Sequence, residues 1–122
     1  MKKSLLKERS FAFAVRIVRL YQYLRNEKQE YVLSKQILRS GTSIGANITE
    51  ALYAQSRADF FAKLSISKKE AAETEYWLEV LLSTNYINQE QFHSISNDCF
   101  ILIRMLIAAC KKGFPAKNAK SF

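Results

Sequence analysis

Apolar residues recur at helical spacing in four stretches of the chain, and short polar segments separate these stretches. The pattern predicts four helices, which run from about Ser4 to Leu24, from about Val32 to Ala54, from the cap Ser56 to about Ser83, and from the cap Asn88 to just before Gly113. Residues 26–30 are polar, lack apolar periodicity and are predicted to connect the first two helices. Because the connections are short, the fold class expected is all-α, an antiparallel up-down-up-down four-helix bundle.

Each predicted helix has one apolar face that is expected to line a common core. The core positions are Ala14, Ile17, Tyr21 and Leu24 in the first helix, with Phe13 and Leu20 beside this stripe, Leu33, Ile37, Ile44, Ile48 and Ala51 in the second, Phe60, Leu64, Ala71, Leu78 and Leu81 in the third, and Phe92, Ile95, Cys99, Leu102, Leu106 and Ala109 in the fourth. The fourth helix also has a second apolar stripe of Phe100, Ile103 and Ile107. A surface helix of a monomer needs only about a third of its circumference to be apolar. The second stripe is therefore predicted to contact another subunit.

The middle of the second helix is built from unusually small residues. Gly41 and Gly45 leave one side of it without Cβ atoms, although each glycine costs a helix about 1 kcal/mol relative to alanine. Such a helix is expected where another backbone approaches closely, so Gly41 is predicted to mark a close contact between helices. A neighbouring face that includes Gly45, Thr49 and Leu52 is neither charged nor strongly apolar, and it is expected to meet another subunit.

Asn47 is the most distinctive polar residue of the second helix, because it projects between Ile44 and Ile48. It either sets the register of a subunit contact or forms a hydrogen bond within its own chain, and the sequence does not separate these alternatives. Ser40 and Ser43 are interpreted as packing residues whose hydroxyls bond back to the preceding turn.

Length and composition fit one small helical domain. The 122 residues include only three glycines and one proline, too few for many strands joined by tight turns. Residues 1–112 are assigned to the bundle, and residues 113–122 to a basic, mobile C-terminal tail.

The charged N-terminus does not fit a signal peptide. The longest apolar run, residues 99–110, contains Arg104 and is shorter than the roughly 20 residues that span a membrane. A cytoplasmic protein without membrane contact is therefore expected.

No catalytic, cofactor or metal site is predicted. Cys99 and Cys110 lie about 16 Å apart along one helix, too far for a disulfide, so both are expected to be buried free thiols. His93 is the single histidine and there is no CxxC pair, which argues against zinc. Glu50 and Asp59 have no base or metal beside them, so a structural role is expected for both.

The net charge of +8 is concentrated at the two ends of the chain. Residues 1–25 contain seven Lys and Arg against one Glu, and residues 111–122 contain four Lys and no acid. In an up-down-up-down bundle, the start of the first helix, the turn after the second and the end of the fourth share one end, which is predicted to form a basic pole. Its candidate phosphate contacts are Lys2, Lys3, Lys7, Arg9, Arg57, Lys111, Lys112, Lys117 and Lys120. Arg16 and Arg19 are further candidate phosphate contacts on the first helix.

The tyrosines follow helical stripes and are assigned to the core and interfaces rather than to base stacking.

The residues of the second and third helices resemble a known family of small four-helix bundle proteins, which are encoded in intervening sequences of bacterial 23S ribosomal RNA genes. The shared pattern consists of Gln36, Arg39, Ser40, Ser43, Ile44, Asn47, Ile48, Glu50, Asp59, Phe60, Leu64, Ser67, Glu70, Trp77, Leu78, Tyr86 and Ile87. It covers roughly residues 11–109. The chain departs from the pattern at Ala51, where many members have glycine, and at Gly45.

This resemblance implies a homopentamer and no established enzymatic activity. The family is similar to the accessory variability determinant of diversity-generating retroelements, a basic pentamer that binds nucleic acid and a reverse transcriptase. The partners implied are further copies of the chain, RNA or DNA, and a reverse transcriptase or other nucleoprotein. The function expected is thus a non-enzymatic oligomeric protein that binds nucleic acid through a basic surface.

Two alternatives stay open at this point. The chain is either a nucleic-acid-binding oligomer or a protein-interaction module that pairs with an enzyme encoded nearby, without contacting nucleic acid itself. A third possibility, an enzyme of unknown type, is disfavoured because no nucleophile, metal or phosphate-loop motif is recognisable.

Overall fold

A computed structural model of the protein describes residues 4–112, which form four α-helices. They are α1 (Leu5–Lys28), α2 (Leu33–Leu52), α3 (Arg57–Ser83) and α4 (Gln89–Lys112). No strand occurs within this range. The helices pack in chain order around one core, with α1 also meeting α4, so the all-α four-helix bundle is confirmed. The predicted tail, residues 113–122, lies outside the described residues.

The first helix is longer than predicted. It extends through Lys28 instead of ending near Leu24, and the supposed connector therefore supplies its last turn. Polar side chains do not break a helix that is solvent-exposed on that side, and this segment contains neither glycine nor proline. The helix ends because Gln29 adopts the left-handed conformation (φ 50°) and its N–H bonds to the Leu24 carbonyl.

Glu30 caps the start of α2 with its side chain. The carboxylate accepts hydrogen bonds from the backbone N–H groups of Val32 (3.1 Å), Leu33 (2.9 Å) and Ser34 (2.6 Å), and the side chain is buried. These amides have no partner inside the helix, and a negative charge is favourable at the positive end of its dipole. The connection between α1 and α2 is therefore tightly fixed.

The starts of α3 and α4 have the caps that the sequence predicts. The Ser56 hydroxyl accepts a hydrogen bond from the Asp59 N–H at 3.0 Å. Asn88 and Gln91 form a reciprocal capping box, in which each side chain accepts from the backbone N–H of the other at 2.8 and 2.9 Å. The second helix begins one residue later and ends two residues earlier than predicted.

The core consists largely of the predicted apolar positions. The fully buried large side chains are Phe13, Ile17 and Leu24 of α1, Ile37, Ile44 and Ile48 of α2, Leu64, Thr74, Leu78 and Leu81 of α3, and Leu102 and Leu106 of α4. Ala14, Leu20 and Tyr21 are half-buried and flank this core. Packing between α2 and α3 is the most extensive and that between α1 and α4 the least, so one seam of the bundle is comparatively open.

Candidate functional site

Both central glycines of α2 lie against α1. A Cβ added at Gly41 would stand only 2.7–2.9 Å from three side-chain atoms of Ile17, and one at Gly45 would stand 3.2 Å from the Ser10 Oγ and 3.3 Å from its carbonyl oxygen. The close helix contact predicted at Gly41 is thus present, and it lies within one chain. The two glycines allow α1 and α2 to pack closely, and they leave the surface between these helices without bulky side chains.

The small polar residues of α2 also form hydrogen bonds within the chain. Thr74 donates to the Ser40 hydroxyl at 3.0 Å, and Ser67 donates to the Ile44 carbonyl at 2.8 Å, so buried hydroxyls join α2 to α3. The Asn47 amide donates to the Ser43 carbonyl of its own helix at 2.9 Å. This bond supports the intrachain alternative for Asn47.

An open groove follows the outer side of the α1–α2 contact and has a volume of about 1050 Å³. Its rim carries Phe11 and Tyr53, which are 70% and 76% exposed, together with the half-exposed Leu52. The residues that line this α1–α2 groove include Ser10, Phe11 and Ala14 of α1 and Thr42, Gly45, Ala46, Thr49 and Leu52 of α2. Of the predicted interface residues, Gly45, Thr49 and Leu52 meet here, in a small-residue channel with aromatic edges.

The second apolar stripe of α4 lies partly exposed at the surface of the bundle. Phe100 is 45% exposed, Ile107 is 40% exposed, and Ile103 lies half-buried between them. We call these three residues the α4 ridge. Phe100 lines a surface depression together with Glu75 and Glu79 of α3, so the ridge lies on the α3–α4 side of the bundle, across the core from the α1–α2 groove.

Helix α4 is apolar enough that its sequence can be compared with that of a membrane-spanning helix. Among the described residues, Gln89–Lys111 is a helical segment whose length and composition alone would permit it to cross a membrane, with a mean hydropathy of 1.3 in its most apolar window. Its inner face packs in the core through Ile95, Cys99 and Leu102. A core helix of a bundle meets the same criterion, so this segment is weak evidence for a membrane.

A buried carboxyl lies where α3 meets α4. Glu75 is only 7% exposed, its Oε2 accepts a hydrogen bond from the Ser96 hydroxyl at 2.6 Å, and its Oε1 is buried without a hydrogen-bond partner. Desolvation raises the pKa of Glu75, against the lowering effect of the Ser96 hydrogen bond. Burial, with the nearby Glu75 charge, also raises the pKa of the Cys99 thiol to about 12. Cys99 is buried and Cys110 half-buried, and both are free thiols.

Four of the predicted phosphate contacts gather at one end of the bundle. Lys7 and Arg9 lie in the first turns of α1, Arg57 begins α3, and Lys111 lies in the last turn of α4, and all four are exposed. The guanidinium of Arg57 also stacks on the Phe61 ring, 5.4 Å from its centroid. The other predicted contacts at this pole, Lys2, Lys3, the Lys112 side chain, Lys117 and Lys120, lie outside the described residues.

Arg16 and Arg19 lie away from this pole, in the middle of α1. Arg16 bridges α1 to α4, since its guanidinium donates to the Asp98 carboxylate at 2.8 Å and to the carbonyl and hydroxyl of Ser94 at 3.1 and 2.9 Å. Arg19 is exposed beside Leu20 and Tyr23. The structure thus gives Arg16 a structural role across the open α1–α4 seam.

The remaining acidic residues and the histidine lie apart from one another in the described part of the chain or pair with cations. No group of three or more His, Cys, Asp or Glu residues suited to a metal ion occurs among residues 4–112. Glu50 pairs with Lys63 at 3.0 Å, at the surface between α2 and α3. The described surface carries an apolar groove between α1 and α2, an apolar ridge on α4 and exposed cations at one end of the bundle.

Sequence reasoning missed two acidic residues that the structure makes prominent. Glu30 was assigned to a polar connector, although its spacing from Ser34 matches a side chain that reaches the first turn of a helix. Glu75 falls between Ala71 and Leu78 on the apolar face of α3, and this helical spacing was a usable signal for its burial.

The four packed helices define a small all-α four-helix bundle protein. A model of the 23S rRNA-intervening sequence protein family matches residues 2–108, so the chain belongs to that family. It is similar to a protein of unknown function from the S23 ribosomal protein family of Bacteroides thetaiotaomicron VPI-5482, whose crystal structure was determined at 1.70 Å. The two share 61% identity and a TM-score of 0.87, over 88% of this chain and 96% of the other. No curated protein matches the chain.

These comparisons establish family and fold. The homopentamer, nucleic-acid binding, the relation to the accessory variability determinant and the cytoplasmic location stay predictions.

Proposed function

We propose that the protein is a non-enzymatic, self-associating bundle, expected to be a homopentamer, that binds RNA or DNA through its basic pole. The observation that carries the proposal is the meeting of exposed Lys7, Arg9, Arg57 and Lys111 at one end of the bundle. They come from three separate parts of the sequence, the start of α1, the start of α3 and the end of α4, and the antiparallel topology brings these parts to one end. The sequence contains further lysines close to these segments, Lys2 and Lys3 before Ser4 and Lys112, Lys117 and Lys120 after Lys111.

Phosphate contacts of this kind give sequence-tolerant binding. Each cation that neutralises a phosphate releases a condensed counterion, so affinity falls steeply as salt concentration rises. One subunit offers only a few exposed cations against acidic neighbours such as Asp59. Assembly of several subunits around a parallel axis would repeat the pole in a ring and convert weak contacts into one multivalent surface.

Self-association is supported by exposed apolar surface on two sides of the bundle. Phe11 and Tyr53 border the groove on one side, and Phe100 and Ile107 stand out on the other. Light scattering behind size exclusion at micromolar concentration tests this part of the proposal. A mass near five subunits is expected, and a stable monomer would refute self-association.

Nucleic-acid binding is tested by fluorescence anisotropy with labelled single-stranded and duplex RNA and DNA over a salt series. The variant Arg9→Gln/Lys111→Gln removes two exposed cations of the pole, and the control Lys28→Gln/Lys69→Gln removes two exposed cations elsewhere. We expect the pole variant to bind more weakly with a shallower salt slope, while the control stays close to the wild type.

The comparison holds for variants whose mass in solution equals that of the wild type. Undetectable wild-type binding at low salt, or equal losses in both variants, would show that the pole only aids solubility. The function would then be that of a protein-interaction module.

A further inference from the structure

We propose that the α1–α2 groove of one subunit receives the α4 ridge of the next, so that copies of the chain join head to tail. This inference rests on the proposed self-association and names the surfaces that produce it.

The groove and the ridge lie on opposite sides of one bundle. The helices pack in the order α1, α2, α3, α4, so the α1–α2 side and the α3–α4 side are opposite edges. Two different surfaces that bind each other on identical subunits make a heterologous contact, which generates a ring when the rotation closes. A two-fold contact of groove with groove would leave the groove without large side chains to fill it and the ridge exposed.

The shapes are complementary in size. The groove floor consists of small side chains, including Ala14, Thr42 and Ala46, and Gly45 has no side chain at all. The ridge presents the large side chains of Phe100 and Ile107. Large apolar groups that enter a channel lined by small ones exclude water and fill space on both sides, as in packing between helices.

The two surfaces also lie at similar heights. At 1.5 Å per residue, Phe11 and Ala46 lie about 9 Å from the basic end of the bundle. On the same scale, Ile107 lies about 8 Å and Phe100 about 18 Å from that end. Two copies placed side by side with parallel axes would therefore bring ridge and groove together without a large axial shift.

Charges above the apolar surfaces match in the same arrangement. Glu79 of α3 is exposed and lies about 33 Å from the basic end, and Lys35 of α2 and Arg25 of α1 lie about 26 and 30 Å from it. Near the basic end, the groove side and the ridge side both carry lysines. Electrostatic attraction between neighbouring subunits therefore comes only from the half of the bundle that is farther from the basic end.

The test separates this pairing from self-association in general. Ala46→Glu places a charge in the groove, and Phe100→Glu places one on the ridge, and both residues are exposed. Ala62→Glu and Ile66→Glu are matched controls at exposed positions on α3 away from both surfaces. Circular dichroism checks that each variant is folded, and light scattering gives its mass.

We expect the two interface variants to be monomers and the two controls to keep the wild-type mass. The decisive sample is an equimolar mixture of Ala46→Glu and Phe100→Glu proteins. The first retains an intact ridge and the second an intact groove, so the mixture should form a dimer that cannot extend. A folded Phe100→Glu or Ala46→Glu protein of wild-type mass, or a mixture that stays monomeric at the highest attainable concentration, would overturn the pairing. A monomeric wild type would instead refute the underlying self-association.

Discussion

Replacement of Gly41 by alanine should destabilise the protein, although alanine is the better helix former. A new Cβ would lie 2.7, 2.8 and 2.9 Å from the Cγ1, Cγ2 and Cδ1 atoms of Ile17. Ordinary carbon contacts are about 3.5–4.0 Å, so the overlap is about 1 Å. Ile17 is fully buried, and its β-branched side chain has essentially one rotamer in a helix. The side chain therefore cannot swing away, and α1 must move.

Two opposing free energies decide the magnitude. Overpacking of a core costs about 1–3 kcal/mol, and an overlap of this size belongs in the upper half of that range. The change from glycine to alanine in a helix contributes about 1 kcal/mol in the opposite direction. We therefore expect Gly41→Ala to lose about 1–2 kcal/mol of unfolding free energy, and Gly41→Leu to lose several.

Urea unfolding followed by circular dichroism at fixed protein concentration measures these changes. Gly45→Ala is the matched control, because its Cβ would meet Ser10 at 3.2–3.3 Å and requires a shift of only a few tenths of an ångström. Its effect should stay within about 1 kcal/mol of zero. In an Ile17→Ala background, which lacks the clashing atoms, Gly41→Ala should become neutral or stabilising. Unchanged or raised stability of the single variant, or an absence of coupling to Ile17, would contradict this reasoning.

Two further predictions concern the acidic residues. Glu30→Ala should lower the free energy of unfolding by about 1–2 kcal/mol, because three backbone amides at the start of α2 lose their acceptor. Glu30→Gln should lower it less. Thermal unfolding measures both changes, and equal stability of the wild type and the two variants would contradict the capping role. Burial raises the pKa of Glu75, so the folded state binds its proton more tightly than the unfolded state does. The contribution of Glu75 to the free energy of unfolding should therefore decrease as the pH rises from about 4.3 through the raised pKa, and Glu75→Gln should remove this pH dependence. Identical profiles of stability against pH for the wild type and Glu75→Gln would contradict the prediction.

The fold was predictable because every helix repeats its apolar residues at one spacing. Ile17, Ile44, Leu78 and Leu102 were placed in the core from spacing alone, and all are buried. The caps Ser56 and Asn88 were also predictable, since an N-cap depends on residues only three positions apart. Local patterns of this kind need no knowledge of the neighbouring helices.

Features that depend on two helices at once were harder to predict. The spacing of Gly41 indicated a close contact but not its partner, and only the packed structure shows that Ile17 provides it. Arg16 has the appearance of an exposed cation in sequence, while its ion pair with Asp98 joins residues 82 positions apart. The end of α1 was misplaced because a polar segment was equated with a connector, although polarity alone does not end a helix.

The buried thiol of Cys99 can be used to detect opening motions of the bundle. Alkylating reagents attack the thiolate, and the pKa of Cys99, raised to about 12 inside the α3–α4 contact, leaves almost none at neutral pH. Modification of Cys99 should therefore proceed only through moments when α4 separates from α3. With Cys110 replaced by serine, the rate of Cys99 labelling would measure how often the bundle opens there, without any added probe or denaturant.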